Sequence, residues 1–256
     1  MAILPGAEPF SADGGPVGIV LSHGFTGTPQ SLRPWAEHLA AAGLTVRLPL
    51  LPGHGTRWQD ANSTGWQDWY AAVEQAYDEV AARCTTVFAG GLSMGGTLVT
   101  RLAEEKGDKI AGLVLVNPAY GTKRIDAKLA PAIAWAVKSR PAIGSDIKKP
   151  GITELAYDRT PVPAFVSLMK FWKVVLADLP KVSAPILTYR SAEDHVVDGV
   201  SEELLKSGAN GTTVRQVPLP NSYHVATLDN DAQTIFDGSV EFIRSVTDKA
   251  VGGAAP

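Results

Sequence analysis

The chain has 256 residues, of which 45% are hydrophobic and 19% charged, enough apolar matter for one large core; this excludes a disordered chain and argues against two separate domains. A net charge of −3, with no basic run longer than a pair, leaves no electrostatic footprint for nucleic acid. The single cysteine, Cys84, cannot close an internal disulfide, the start MAILPGAEPF lacks the basic region and apolar run of a signal peptide, and no apolar stretch is long enough to span a bilayer, so a cytoplasmic location is expected.

In chain order, Val17 to Ser22 (VGIVLS) reads as a strand buried on both faces, and Ser31 to Ala42 as a helix closed by Gly43. Leu44 to Leu48 is a second strand. From Trp66 to Arg83 the residues Trp66, Trp69, Tyr70, Val73, Ala76, Tyr77 and Val80 recur at helical spacing, so one face can pack on a sheet. A strand at Thr85 to Ala89, a helix from Met94 to Lys106 stopped by Gly107, and a strand at Gly112 to Val116 follow. This is the rhythm of an α/β protein whose mostly parallel central sheet carries helices on both faces.

The rhythm breaks after Asn117. Pro131, Pro141, Pro150, Pro161 and Pro163 are scattered through the next stretch, with short helices predicted at Ala130 to Lys138 and Ala164 to Leu176. Alternation resumes with a strand at Pro185 to Tyr189, a helix near Ser201 to Lys206, a strand at Thr213 to Val217 and a helix from Ala232 to Val246; the last residues, VGGAAP, read as a frayed tail. The expected division is a core over 1–118, an inserted cap over 119–183 and the rest of the core over 184–256.

Gly91-Leu92-Ser93-Met94-Gly95 is a G-x-S-x-G sequence between a predicted strand and a predicted helix, the context in which that pattern makes a nucleophile. A sharp turn there exposes the serine hydroxyl, glycines on either side avoid a collision, and the N–H of Met94 at the helix start can face the oxygen of an acyl group. A serine needs a base, and the base a carboxylate. Both occur downstream in loops that follow strands: Asp194 as the acid, with Glu193 and Asp198 as competitors, and His224 as the base. Of the remaining histidines, His195 is expected at the surface because its side chain should diverge from that of Asp194, His38 on a solvated helix face, and His54 as a loop-fixing residue. His23 opens the loop His23-Gly24-Phe25 after the first strand, where it is expected to be structural while the N–H of Phe25 serves as a second oxyanion donor. No Cys/His cluster calls for a metal, and no cofactor is expected.

The segments HGFTGTPQS (23–31), LPGHGT (51–56), GLSMGGT (91–97), IGSDIKKP (143–150), ELAYDRTP (154–161), EDHVV (193–197) and NSYHVATLD (221–229) resemble the α/β-hydrolase superfamily, and more closely its bacterial monoacylglycerol lipases and carboxylesterases. The resemblance spans nearly the whole chain. It implies a cap over the serine, Ser93, Asp194 and His224 as a triad, and Phe25 and Met94 as oxyanion donors. It also implies an apolar tunnel for one acyl chain and a cap glutamate that recognises a glycerol head group, here Glu154. Ala132, Ile133, Trp135, Ala136, Val137, Ile143, Ile147, Phe165, Leu168, Met169, Phe171, Trp172 and Val175 supply more apolar surface than a loop insertion needs. Most must pack on the core; the rest, Ile143 among them, is expected against the substrate. The expected activity is hydrolysis of a monoacylglycerol or another small carboxylic ester, with a small lipid ester as partner and a cap that can touch a lipid surface transiently. Other acyl enzymes with the same triad, a thioesterase or acyltransferase for example, and a non-catalytic binding protein stay open. A dehalogenase is disfavoured, since Ser93 stands where that chemistry needs a carboxylate. Oligomeric state is not legible.

Overall fold

A computed structural model describes residues 2–252. Among these, seven strands form one sheet: β1 (Phe10–Ala12), β2 (Val17–Ser22), β3 (Thr45–Leu48), β4 (Thr86–Leu92), β5 (Gly112–Val116), β8 (Ile186–Ser191) and β9 (Val214–Leu219), in the order β1-β3-β2-β4-β5-β8-β9. Only β1 runs antiparallel, paired with β3. The continuous apolar runs of the inner strands are explained by burial on both faces: β5 is buried at every position. Strand β1 is absent from the sequence expectation. Three residues, the middle one exposed and its neighbours half-buried, carry too little pattern to be read as a strand.

On one face, α3 (Trp66–Ala81) and α4 (Met94–Lys106) cover the sheet, with Trp69, Val73, Val80, Leu98 and Leu102 in its core cluster. On the other face, α1 (Arg33–Ala41) and α9 (Ala232–Gly252) bury Trp35, Leu39, Ile235 and Ile243. Helix α8 (Val200–Gly208) and the short α2 (Trp58–Ala61) complete the core. The expected helix at 31–42 begins later, at Arg33, because Pro29 to Ser31 form a tight 3-10 turn. Helix α9 runs beyond the expected Val246, so the first two residues of VGGAAP are helical; the rest of that segment lies outside the described residues.

The stretch between β5 and β8 departs from the sheet. It holds α5 (Ile125–Lys128), α6 (Ala130–Ile133), a two-stranded hairpin of β6 (Ser139–Pro141) and β7 (Arg159–Pro161), and α7 (Val162–Asp178). The expected helix at 130–138 is therefore only one turn long: the chain straightens into β6, where Ser139 pairs with Pro161. Helix α7 is longer than expected at both ends. Its start is set by Pro161 and by Pro163 in the first turn, where a missing N–H costs nothing. It buries Leu168, Phe171 and Val175 in the same cluster as α3 and α4, and Phe171 stacks on Trp66 at 4.9 Å. Trp135, in the set expected against the core or the substrate, is instead 81% exposed.

Candidate active site

Strand β4 ends at Leu92, α4 begins at Met94, and Ser93 between them has φ 56° and ψ −120°. Such a backbone is costly for a residue with a Cβ and recurs at functional positions. The flanking glycines are obligatory: a Cβ on Gly95 would run into the carbonyl of Ser22, and one on Gly91 into the backbone of Gly95. The turn is pinned by Ser93 N–H donating to Val116 O at 3.0 Å and by Gly96 and Ala119 donating to Ser93 O. The Ser93 hydroxyl makes no hydrogen bond among the described residues; the side chain lines a cavity.

His224 lies in the loop after β9, and its Nδ1 donates to Asp194 Oδ2 at 2.9 Å, in the loop after β8. That tautomer leaves Nε2 without a partner among the described residues, the state a base requires. The Asp194 side chain is fully buried and further satisfied by the amides of Val196 and Val197, 2.9 and 2.8 Å from Oδ1, and by the Arg190 guanidinium, 2.8 Å from Oδ2. Burial works to raise the Asp194 carboxyl, but the charge and hydrogen bond of His224, the Val197 amide and Arg190 outweigh it and hold the group below its ordinary value. Burial likewise works against a charged His224, yet Asp194, Glu154 and Asp146 leave its pKa raised. The competitors for the acid face elsewhere: Glu193 pairs with Lys148 at 3.4 Å, and Asp198 accepts from Thr122, Lys123 and Val200.

The loop after β2 runs beside the serine, because β2 and β4 are paired with Ser22 opposite Gly91. A Cβ on Gly24 would stand 3.4 Å from the Cβ of Ser93. Neither Phe25 N–H nor Met94 N–H finds an acceptor among the described residues. His23 anchors this loop: Nδ1 donates to Gly24 O at 2.9 Å and Nε2 accepts from Leu51 N at 3.1 Å. Burial, with the charge of His54, pushes its pKa down to about 3, so it stays neutral and structural. His54 donates from Nδ1 to Pro52 O and is pushed down to about 4 by burial, as a loop-fixing residue should be. His38 differs from expectation: it pairs with Asp237 on α9 at 3.2 Å and packs against Phe236. His195 is 55% exposed at its side chain but is held by Asp146 at 2.8 Å, a partner sequence reading did not supply.

The cavity over Ser93 measures about 350 Å³. Phe25, Val162, Phe165, Leu168 and Trp172 line it with apolar surface, and Ile143 and Glu154 also reach it. Burial pushes the Glu154 carboxyl up to about 7, against the pull of His224. Its Oε1 stands where a Cβ on Gly27 would come within 2.7 Å, which places it against the loop of Phe25. Sequence reasoning missed Asn117, which has φ 42° after β5 and ties the triad loops together: Nδ2 donates to Ser191 Oγ and His224 O, and Oδ1 accepts from Ser191 N. Its only signal was its place at the end of a strand. Among the described residues no group of three or more His, Cys, Asp or Glu side chains is arranged to hold a metal.

A strained serine between strand and helix, facing a cavity beside a histidine bonded to a buried aspartate, defines the class of hydrolases with a nucleophile elbow. The alpha/beta hydrolase family model matches residues 19–237. The chain belongs to that family. It is 45% identical to a thermostable monoacylglycerol lipase of Bacillus sp. (strain H-257), over 94% of this chain and 95% of that one. It is 22% identical to a carboxylesterase of Bacillus subtilis (strain 168), over 93% and 97% of the two chains. Among solved structures it matches one reported for LipS and LipT, two metagenome-derived lipolytic enzymes, with a TM-score of 0.92 and 42% identity over 95% of this chain and 100% of that one. A monoacylglycerol lipase of Paleococcus ferrophilus, at 22% identity and a TM-score of 0.71 over 93% and 99%, shares the fold.

Proposed function

We propose that this chain is a serine ester hydrolase whose substrates are monoacylglycerols or similar small fatty-acyl esters. The observation that carries the reading is Ser93, held at φ 56° over an apolar cavity that His224, bonded to Asp194, also lines. Ser93 Oγ attacks the ester carbonyl while His224 Nε2 takes its proton. The amides of Phe25 and Met94, which have no acceptor among the described residues, receive the oxyanion, the second with the help of the α4 dipole. His224, kept in the right tautomer by Asp194, then protonates the leaving alcohol, and water activated by the same ring releases the acid. The cavity volume lies at the small end of ligand pockets, which suits one acyl chain rather than two. Glu154 and Ile143 are the residues assigned to the substrate, Glu154 to the free hydroxyls of the alcohol.

In the same reading residues 119–183 form a cap inserted into the core. Trp135 at 81% and Ile125 at 76% exposure, with Lys123, Lys138 and Arg140 nearby in sequence, suit transient contact with a lipid surface. No helix among the described residues is long and apolar enough to cross a membrane, and the free Cys84 fits a cytoplasmic place.

The test is labelling by a fluorophosphonate together with a panel of p-nitrophenyl esters. Ser93 should be labelled, kcat/KM should rise from acetate to a medium chain and then level or fall, and Ser93→Ala, Asp194→Asn and His224→Ala should each lower turnover by about 10³ to 10⁶. A steady decline from acetate onward would make the protein a short-chain carboxylesterase.

A further inference from the structure

Besides Glu154, the cap brings a second carboxylate to the triad, one that is assigned neither to the reaction nor to the substrate. In the segment 143–150, Ser145 takes a left-handed backbone at φ 53°, fixed by Ile147 N–H donating to its carbonyl and Glu154 N–H to its Oγ, both at 2.8 Å. This turn precedes Asp146, whose side chain is only 9% exposed. Asp146 Oδ2 accepts from the backbone amides of His224 and His195, each at 3.1 Å, and Oδ1 accepts from His195 Nδ1 at 2.8 Å. Its carbonyl accepts from Val225 N at 3.1 Å. Two residues on, the amides of Lys148 and Lys149 donate at 2.7 and 2.9 Å to Asp229, which also accepts from Tyr223 N.

We propose that Asp146 is a positioning residue for the catalytic base: from the cap, its carboxylate locks the loop of His224 to the loop of Asp194 and sets a negative charge beside the imidazole. The proposal rests on the triad reading above. A neutral group of the same shape could tie the loops, so the charge is the part that needs a test of its own. The charged groups around His224 are Asp194 from the loop after β8, with Arg190 behind it, and Glu154 and Asp146 from the cap. Around Asp146 stands His195, which packs edge-on against Tyr223 at 4.7 Å; Lys148 lies over the same tyrosine ring and pairs with Glu193. A negative charge near a histidine favours its protonated form. Asp146 therefore helps to hold the imidazolium that forms as Ser93 is deprotonated, at the cost of moving the acid limb of the rate profile to higher pH.

The experiment compares Asp146→Asn, His195→Ala and His224→Ala with wild type in the full chain. It reads kcat, KM and the pH profile of kcat/KM on p-nitrophenyl butyrate, and the thermal midpoint. Asp146→Asn should lower kcat at least tenfold with KM changed less than about twofold, and should move the acid limb to lower pH by several tenths of a unit to one unit. His195→Ala, which removes the ring held by Asp146 Oδ1 but leaves the carboxylate and its backbone ties, should change kcat less than Asp146→Asn does and should not shift the limb downward. A lower thermal midpoint with an unmoved acid limb in Asp146→Asn would make it a loop tie only and overturn the proposal, as would unchanged kcat. If Asp146→Asn does not fold, Asp146→Ser takes its place and is read by the same acid limb: an unmoved limb overturns the proposal. Activity surviving in His224→Ala would sink the triad reading itself, whereas an inactive His224→Ala beside a silent Asp146→Asn sinks only the positioning role.

Discussion

At Glu154 the head-group role and the electrostatics can be tested together. A carboxyl pushed up to about 7 by burial, in a cavity shared with His224, changes charge within the working range of an enzyme. Ionised, it can accept hydrogen bonds from both free hydroxyls of a monoacylglycerol; protonated, it loses acceptor capacity. Glu154→Ala should therefore slow monoacylglycerol hydrolysis by roughly one to two orders of magnitude, the scale of a charge-assisted hydrogen bond, and spare p-nitrophenyl esters. In the wild type the ratio of the two activities should grow as pH rises through about 7, because the carboxyl ionises in that direction. Equal slowing of both substrates by the mutation would remove the head-group role.

Helix α7 decides whether the cap is a separate body. It enters as the last element of the insertion, yet Phe171 and Val175 are fully buried in the cluster shared with α3 and α4. The sequence pattern of α7 is apolar nearly all round, which by itself fits a lid as well as a core helix. Only the packing distinguishes them. Phe171→Ala, which removes a ring stacked on Trp66, should cost about 3 to 5 kcal/mol. Urea unfolding should show one transition with a lower midpoint, because the loss falls on the common core. Two transitions, the later one at the wild-type midpoint, would mean that the cap unfolds apart from the sheet.

For the whole molecule, one group with strong leverage on pH-dependent stability lies toward the far end of α4 from Ser93. Glu104 on α4 has a fully buried side chain, and Arg101 beside it also reaches Glu105 on the same helix and Asp178 at the end of α7. Burial pushes the Glu104 carboxyl up to about 8, although Arg101 pulls it down, and its Oε1 has no partner among the described residues. A carboxyl raised above its unfolded value holds its proton in the native state, so stability is fully present below about pH 4.5 and is lost as pH rises toward 8. Measured against Glu104→Gln, the wild type should lose thermal stability over that window, while the variant should be flatter. Parallel pH curves would show Glu104 to be ionised throughout.

Periodicity and strand-end position made much of this protein legible before any coordinates. The inner strands are buried on both faces, so their apolar runs stand out, and Ser93 and Asp194 each follow one of them, while His224 follows β9, a half-exposed strand at the sheet edge; all three lie at the carboxyl ends of parallel strands. Glycines 91 and 95 announced the turn because a Cβ there has no room. The cap was not legible in the same way: its proline-broken pieces have no period, so the hairpin of β6 and β7, the exposed Trp135 and the buried face of α7 depend on contacts between residues far apart in the chain. The same holds for the partners of the loops that carry Asp194 and His224. Asp146 lies 78 residues from His224, and Asn117 lies 74 from Ser191; no local rule joins them. Residue types and chain order determined which groups could do chemistry. Tertiary structure alone decided which buried donors and charges surround them, because desolvation and hydrogen bonding depend on what the folded chain brings within a few ångströms.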